Sequence, residues 1–499
     1  MQDVSVAPAT NTAISHPFLD GAPKQLFIGG QWVDAHGGTF ECVSPGTGEV
    51  VATVACGDEV DIDRAVAAAR AAFEGPWSKW TPYDRQVLLL RIADMLDERY
   101  DDLGRLESID MGAPVARTGM FKRWMQQTFR YYAAQAVGIH GQVLENSFPG
   151  NYMSYTKRAP IGVVGGIIPW NGPLISQLWS ICPALASGCT LVLKPALEAP
   201  LSALMFAGLL HEAGVPDGVI NVVPGPGPTA GAALAEHMDV NRIAFTGSTA
   251  TGRKIIEASA SNIKTVAVEL GGKSPDIVFA DADLEKAAVG AAMGCFNNTG
   301  QVCYAGSRLF VQRSIYAEFV EKVAAVGRAL RVGNPLDPST QIGPLASAAQ
   351  FARVTGYFDI ARSEGLDIIS GGKALEGRGG GYFVEPTVIA VPDSTSRLAR
   401  EEIFGPVLCA IPFDTEEEVI RMANATEYGL GGAVWSRDVG RAHRVAHALQ
   451  SGIAWINCYG ITDPSTCYGG TKMSGYGSKG GPTHLNDYLT SKTVWVDLN

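Results

Sequence analysis

The residues of this chain that could do chemistry sit in short polar stretches between apolar runs. In Asn297–Arg308, "NNTGQVCYAGSR", Cys303 stands among small and polar residues. As a thiolate it would be a nucleophile, needing oxyanion donors and a base nearby. The plain alternative is a small packing residue that carries sulfur. No histidine is close in sequence, so a Cys–His pair has no positive signal. Glu269 ends the apolar run "VAVEL". A carboxylate at the edge of a core is costly unless paired or useful, and the use it suits is general base. Asn171 lies in Pro169-Trp170-Asn171-Gly172-Pro173. It is either a turn residue or an amide donor aimed at a developing oxyanion.

A second group points to phosphates and hydroxyls. In Phe245-Thr246-Gly247-Ser248, an apolar run gives way to residues that open a helix. Helix N-termini offer free N–H groups and a positive dipole end, though a plain capping turn accounts for the pattern equally well. Lys194 follows another apolar run and precedes Pro195. It reads as a surface lysine at a strand exit or as a cation reaching cofactor hydroxyls. Gly227 and Gly231 belong to "PGPGPTAG", which is not Gly-x-Gly-x-x-Gly. Glu402 follows Glu401, and such acid pairs are usually solvated.

These residues need elements to position them. Short β-branched runs recur at Val163–Ile168, Thr190–Leu193, Val219–Val223, Arg242–Phe245 and Thr265–Val268. Segments of helical length lie between them, such as Leu201–Ala213 and Thr249–Ser259. This alternation predicts a parallel sheet with right-handed crossovers, whose ligands bind beyond the carboxyl ends of the strands. Lys194, Ser248, Glu269 and Asn171 all fall at such ends. Upstream, apolar spacing predicts helices over Asp61–Phe73 and Gln86–Leu103. Downstream, Leu309–Val311, Leu366–Ile369, Phe383–Val391, Val407–Phe413 and Ile453–Ile456 read as strands. The fold class is α/β.

At 499 residues the chain is long enough for two or more domains. A net charge of -11 argues against a nucleic-acid partner. The 9 cysteines include no Cys-x-x-Cys pair, so neither a metal site nor a disulfide scaffold is expected. No run is apolar enough for a membrane span, and the N-terminus lacks the features of a leader. The expectation is a soluble, cytoplasmic protein with a flexible arm over residues 1–22.

Taken in order, Pro169-Trp170-Asn171, Lys194-Pro195, Phe245-Thr246-Gly247-Ser248, Glu269-Leu270-Gly271-Gly272-Lys273, Gly300-Gln301-Val302-Cys303, Glu402-Ile403-Phe404-Gly405-Pro406 and Trp455-Ile456-Asn457 resemble the NAD(P)-dependent aldehyde dehydrogenase superfamily. The likeness runs from about Leu26 to Val496. It implies a Rossmann-type cofactor domain at 23–141 and 162–271, and an α/β catalytic domain at 272–470. A small β oligomerisation arm follows at 142–161 and 485–499. It implies Cys303 as nucleophile, Asn171 and the Cys303 N–H as oxyanion hole, and Glu269 as general base. The glutamate favours hydrolysis to the free acid over transfer to CoA. For the cofactor it implies Glu402, Phe404 and Leu270 at the nicotinamide end. Lys194 would sit at the adenosine ribose, and Trp170 and Ser248 at the pyrophosphate. Ile167, Pro169, Phe245, Thr246, Gly247, Gly227 and Gly231 would line the rest.

Departures from the family pattern bear on specificity. Gly172 stands where an aromatic residue is common, and so do Asn297 and Thr462. With Trp124, Ser176, Trp179 and Tyr468 these positions imply a wide pocket and a bulky terpenoid or aromatic aldehyde. The alternative is betaine aldehyde or a semialdehyde, since two tryptophans can also cage a cation. Leu197 replaces a glutamate common in NAD-using relatives, and Glu198 follows it; without the first carboxylate the repulsion of a 2′-phosphate weakens, so the expected cofactor is NAD with room for NADP. The tail Tyr468–Leu489 lacks the acidic run often found there, and the resemblance offers no role for that change. A homo-oligomer, dimer or tetramer, is implied.

Overall fold

The computed structural model describes residues 14–375 and 380–499. Thirteen residues of the arm expected at 1–22 therefore lie outside the described residues. Past them the chain is attached to the body: His16 is buried and its Nε2 lies 2.9 Å from the Asp102 carbonyl.

The first large sheet has eight strands. Their order is Gly475–Tyr476, Thr265–Glu269, Arg242–Thr246, Val163–Ile167, Thr190–Lys194, Ile220–Val222, Leu26–Ile28 and Gln31–Val33. The five from Thr265–Glu269 to Ile220–Val222 run parallel, as the alternation predicts. Every residue of Val163–Ile167 and Thr190–Lys194 is buried, so both faces must be covered. Successive side chains supply opposite faces. Val164, Leu191 and Leu193 join one apolar cluster, and Val163 and Val192 the other.

The helix Glu59–Glu74 packs on the second of these clusters. It starts two residues before the predicted span because Asp58 caps it, reciprocated by Asp61. Thr81 and Asp84 form the same box at the start of Pro82–Met111. That helix outruns the predicted 86–103 because its apolar stripe continues through Leu106 and Ile109, until Gly112 adopts φ 83° and ends it.

The second large sheet has seven strands. They run Asp367–Ser370, Thr387–Ala390, Val407–Phe413, Arg308–Gln312, Pro275–Val278, Ala433–Trp435 and Trp455–Ile456. All neighbours are parallel except the first pair. The strand expected over Phe383–Val391 shrinks to Thr387–Ala390. Pro386 has no N–H for the ladder, so pairing starts after it. Pro275–Val278 and Ala433–Trp435 are wholly buried and too short to show a period.

A third sheet pairs Leu489–Asp497 with Tyr152–Pro160 in nine antiparallel steps, with Val143–Leu144 on its other edge. The strand Gly475–Tyr476 pairs with Val268 and Glu269. It brings the C-terminal segment back to the end of the first sheet, beside the candidate base.

Candidate active site

The loop that carries Cys303 is built on three successive left-handed residues: Asn298 at φ 54°, Thr299 at φ 57° and Gly300 at φ 70°. Such a run is held only by its surroundings. Asn298 Nδ2 donates to the carbonyls of Asn171 and Gln301, at 2.9 and 3.2 Å. Thr299 Oγ1 donates to the Gly343 carbonyl at 3.0 Å, and the Gln301 side chain accepts from Ala346 N at 2.9 Å. A Cβ on Gly300 would lie 2.0 Å from the Gly405 carbonyl oxygen, so only glycine fits.

The same loop fixes Asn171. Its Nδ2 donates to the Gln301 carbonyl at 2.8 Å, which takes one of two amide hydrogens. The other is left for a further acceptor.

Around the sulfur the contacts form a chain. Cys303 Sγ lies 2.9 Å from the Tyr468 hydroxyl. That hydroxyl donates to Glu269 Oε1 at 3.4 Å. Lys479 Nζ donates to Glu269 Oε2 at 2.8 Å and to Thr246 Oγ1 at 2.5 Å. Glu269 is 6% exposed, so its pair with Lys479 is shielded from water. Burial, and next the negative charge of Glu269, push the Cys303 thiol well above the ordinary thiol range.

Neighbouring acids part company at the other side. Glu401 faces out, accepting from Arg397 at 2.9 Å and Tyr357 at 2.6 Å. Glu402 turns in and accepts from Gly272 N with Oε1 at 2.9 Å. Burial pushes its carboxyl up to about 7. A Cβ on Gly271 would lie 2.4 Å from Glu402 Oε2, so glycine opens this berth. Phe404 is held at φ 60° with its carbonyl accepting from Gln350 Nε2 at 2.6 Å, and its ring stands 5.4 Å from that of Trp170.

One cavity of about 510 Å³ joins these groups. Cys303, Glu269 and Asn171 line it together with Pro169, Trp170, Thr246, Gly247, Ser248, Leu270, Glu402 and Phe404. The pocket residues Gly172, Ser176, Trp179, Asn297, Thr462, Tyr468 and Trp124 line it too. Ile167, Phe245, Lys194, Gly227 and Gly231 do not. Ile167 and Phe245 are buried strand residues, paired with each other across the sheet. Lys194 lies by Gly231, whose Cβ would be 3.6 Å from its Cδ. Its Nζ donates to the carbonyls of Pro195 and Gly225, at 2.9 and 2.8 Å, and burial pushes it down to about 8.

Several cavity residues escape the sequence reading: Arg117, Phe121, Ile175, Tyr304 and Lys479. Arg117, Phe121 and Trp124 sit at i, i+4 and i+7 of the helix Val115–Ala136, so Trp124 alone could have led to the other two. Lys479 had no such signal. It arrives through the long return of the C-terminal segment.

Comparison with known proteins places these features in company. A family model described as "Aldehyde dehydrogenase family" matches residues 32–494. Aldehyde dehydrogenase 1 of Tanacetum cinerariifolium is 46% identical over 479 residues, covering 95% of each chain. PnpE, solved in complex with nicotinamide adenine dinucleotide, superposes with a TM-score of 0.93 at 45% identity, over 95% of this chain and 98% of its own. Betaine aldehyde dehydrogenase (betB) of Staphylococcus aureus, in complex with NAD+, gives 0.94 at 38% identity, over 97% and 96%.

Proposed function

The chain belongs to the aldehyde dehydrogenase family and is an aldehyde dehydrogenase, and from that premise we propose that it turns aldehyde into free acid through a thioester on Cys303, with NAD as oxidant. The observation that carries this is the meeting of Cys303, Asn171 and Glu269 in one cavity with the inward-facing Glu402.

The residues present fit the cofactor. The Lys194 ammonium has three donors and spends two on backbone carbonyls, leaving one for a ribose hydroxyl. Ser248 caps the helix Thr249–Ser259 at the cavity wall, where anionic oxygens are favoured. Glu402 gives one oxygen to Gly272 N and keeps the other for a second ribose. Glu198, close enough to strengthen Lys194's hold on its proton, would repel a 2′-phosphate and so supports NAD over NADP.

The Cys303 sulfur attacks the aldehyde carbon, and the free amide hydrogen of Asn171, with the Cys303 N–H, meets the oxyanion. Bound NAD would supply the acceptor for the hydride that leaves the thiohemiacetal, so that a thioester stays on Cys303. Glu269 then takes a proton from the water that hydrolyses it. Asn171→Ala should cut kcat by roughly 10²–10³-fold with NAD affinity kept, as loss of one oxyanion donor does. Steady-state NADH formation beside a binding titration checks this, and a kcat within about threefold of the parent would remove Asn171 from the oxyanion hole.

The substrate end of the cavity is wide and aromatic. The rings of Trp124 and Trp179 meet edge to face at 5.3 Å, and Gly172 leaves open space where a side chain could stand. This supports a bulky aromatic or terpenoid aldehyde. Arg117 qualifies it: Nε donates to Asn297 Oδ1 at 3.2 Å, while buried Nη1 has no partner. A guanidinium in the pocket repels a quaternary ammonium, so among polar substrates it favours a semialdehyde bearing an anion over betaine aldehyde. In a panel with NAD and NADP, kcat/KM should be at least about tenfold higher for a bulky aromatic aldehyde than for acetaldehyde, and lowest for betaine aldehyde. A clear win for acetaldehyde or betaine aldehyde sinks this reading.

We read the cofactor part as 23–141 and 162–271, the catalytic part as 272–470, and the three-stranded sheet as an oligomer contact. Val143 and Trp495, exposed on that sheet, support the last. All nine cysteines are free, which suits a reducing cytoplasm.

A further inference from the structure

The tail Tyr468–Leu489 departs from the family pattern by lacking its acidic run, and the structure gives the residues that stand there neighbours. Two of its residues reach the reacting groups. Tyr468 stands between Cys303 and Glu269, and Lys479 holds the far oxygen of Glu269. The hydroxyl lies within hydrogen-bond reach of both Cys303 Sγ and Glu269 Oε1, and either sulfur or oxygen can donate in the first of these contacts; with the tyrosine proton turned to Glu269, its oxygen accepts from the thiol. The bonds then run in one direction, from sulfur to tyrosine oxygen to carboxylate.

Lys479 sets the geometry of that carboxylate. It spans Glu269 Oε2 and Thr246 Oγ1, which lie at the ends of adjacent paired strands. With Oε2 tied, Oε1 is the oxygen left to face Tyr468. The pair is largely shielded, with side-chain exposures of 14% and 7%, so its charges interact more strongly than a surface pair would.

We propose that the Tyr468 hydroxyl is the proton bridge by which Cys303 is activated and that Lys479 is the positioning residue that holds Glu269 at the end of this bridge. The inference rests on Cys303 being the nucleophile. In the step, the S–H bond breaks and its proton passes to the tyrosine oxygen while the tyrosine's own proton passes to Glu269 Oε1. A thiolate and a neutral glutamic acid result, and Tyr468 ends unchanged. Oxidising an aldehyde onto a thiol releases one proton overall. Glu269 therefore passes its proton to water before it serves as base for hydrolysis. The groups that face the sulfur are Glu269 from the first sheet, Tyr468 and Lys479 from the C-terminal segment, and Tyr304 beside it, with Glu402 beyond Glu269.

The test reads the thiol itself, in enzyme without cofactor or aldehyde. Iodoacetamide alkylation of Cys303 is followed by peptide mass spectrometry from about pH 6 to 10. Tyr468→Phe should slow alkylation near neutral pH about tenfold and move its midpoint up by about one unit. Lys479→Met should act in the same direction, because it frees the carboxylate and removes a positive charge. Lys479→Arg should restore the rate to within about twofold. Exposed Cys467 and buried Cys182 serve as internal standards for reactivity and folding. An unchanged rate and midpoint in Tyr468→Phe overturns the bridge, and a Lys479→Arg variant as slow as Lys479→Met overturns the positioning role. Neither result depends on turnover, so failure of the bridge is distinct from failure of Cys303 as nucleophile. That second failure would show as aldehyde oxidation surviving loss of the sulfur.

Discussion

Cys303→Ala is expected to lower NADH production from any aldehyde by about 10⁴-fold or more, with NAD binding kept. Removing a nucleophile costs on this scale because the remaining binding and oxyanion groups act on a reaction that no longer has its covalent route. The structure offers no stand-in sulfur. Of the nine cysteines only Cys303 lines the cavity, and Cys295, eight residues earlier, is 1% exposed. The cofactor contacts expected from Lys194, Ser248 and Glu402 come from other segments of the chain, so affinity for NAD should change less than about threefold. Absorbance at the NADH band and a binding titration read the two quantities separately. A variant that keeps more than about one hundredth of the parental rate would show that the sulfur is not the nucleophile.

Much of this site was legible in the chain because its motifs lie at strand ends, and strand ends in a parallel sheet are where ligands go. Asn171, Thr246 and Glu269, which line one cavity, share a local pattern: an apolar run, then a polar residue with glycine or proline nearby. Helix starts were less legible. Asp58 and Thr81 cap through side-chain geometry, and both lie before the periodic stretches that mark the two helices. The Glu401–Glu402 pair shows another limit. The two residues are chemically alike and adjacent, and only the backbone turn after Arg397–Arg400 sends one outward to Arg397 and the other to Gly272.

Lys479 marks the furthest limit. It meets Glu269 across 210 positions of sequence, through a two-residue strand whose pairing no local pattern announces. Tyr468 was placed in the substrate pocket, and it does line the cavity. Its hydroxyl, however, is turned to the sulfur and the carboxylate. Sequence order could mark Tyr468 as near the site but could not say which neighbour it would face.

Glu269→Gln should separate the two halves of the reaction. Both halves ask Glu269 for help with a proton, but from very different acids. A free thiol ionises near pH 8.5, whereas water has a pKa of about 15.7. Even with Cys303 pushed upward by burial, the thiol gives up its proton far more readily than water does. Loss of the carboxylate should therefore slow hydrolysis of the thioester more than its formation. Steady-state kcat should fall roughly 10²–10⁴-fold, the range of a lost general base. Rapid mixing should show about one NADH per site formed before turnover stalls, and intact mass should show the acyl group on Cys303. Hydroxylamine is a strong nucleophile that needs no base, and it should relieve the stall and release a hydroxamate. The glutamine keeps the shape of the side chain while leaving the Lys479 ammonium without its counter-charge. A thermal melt beside the kinetics separates that cost in stability from the chemistry. A steady-state rate within about threefold of the parent, or a stalled enzyme with Cys303 unmodified, would take the base role from Glu269.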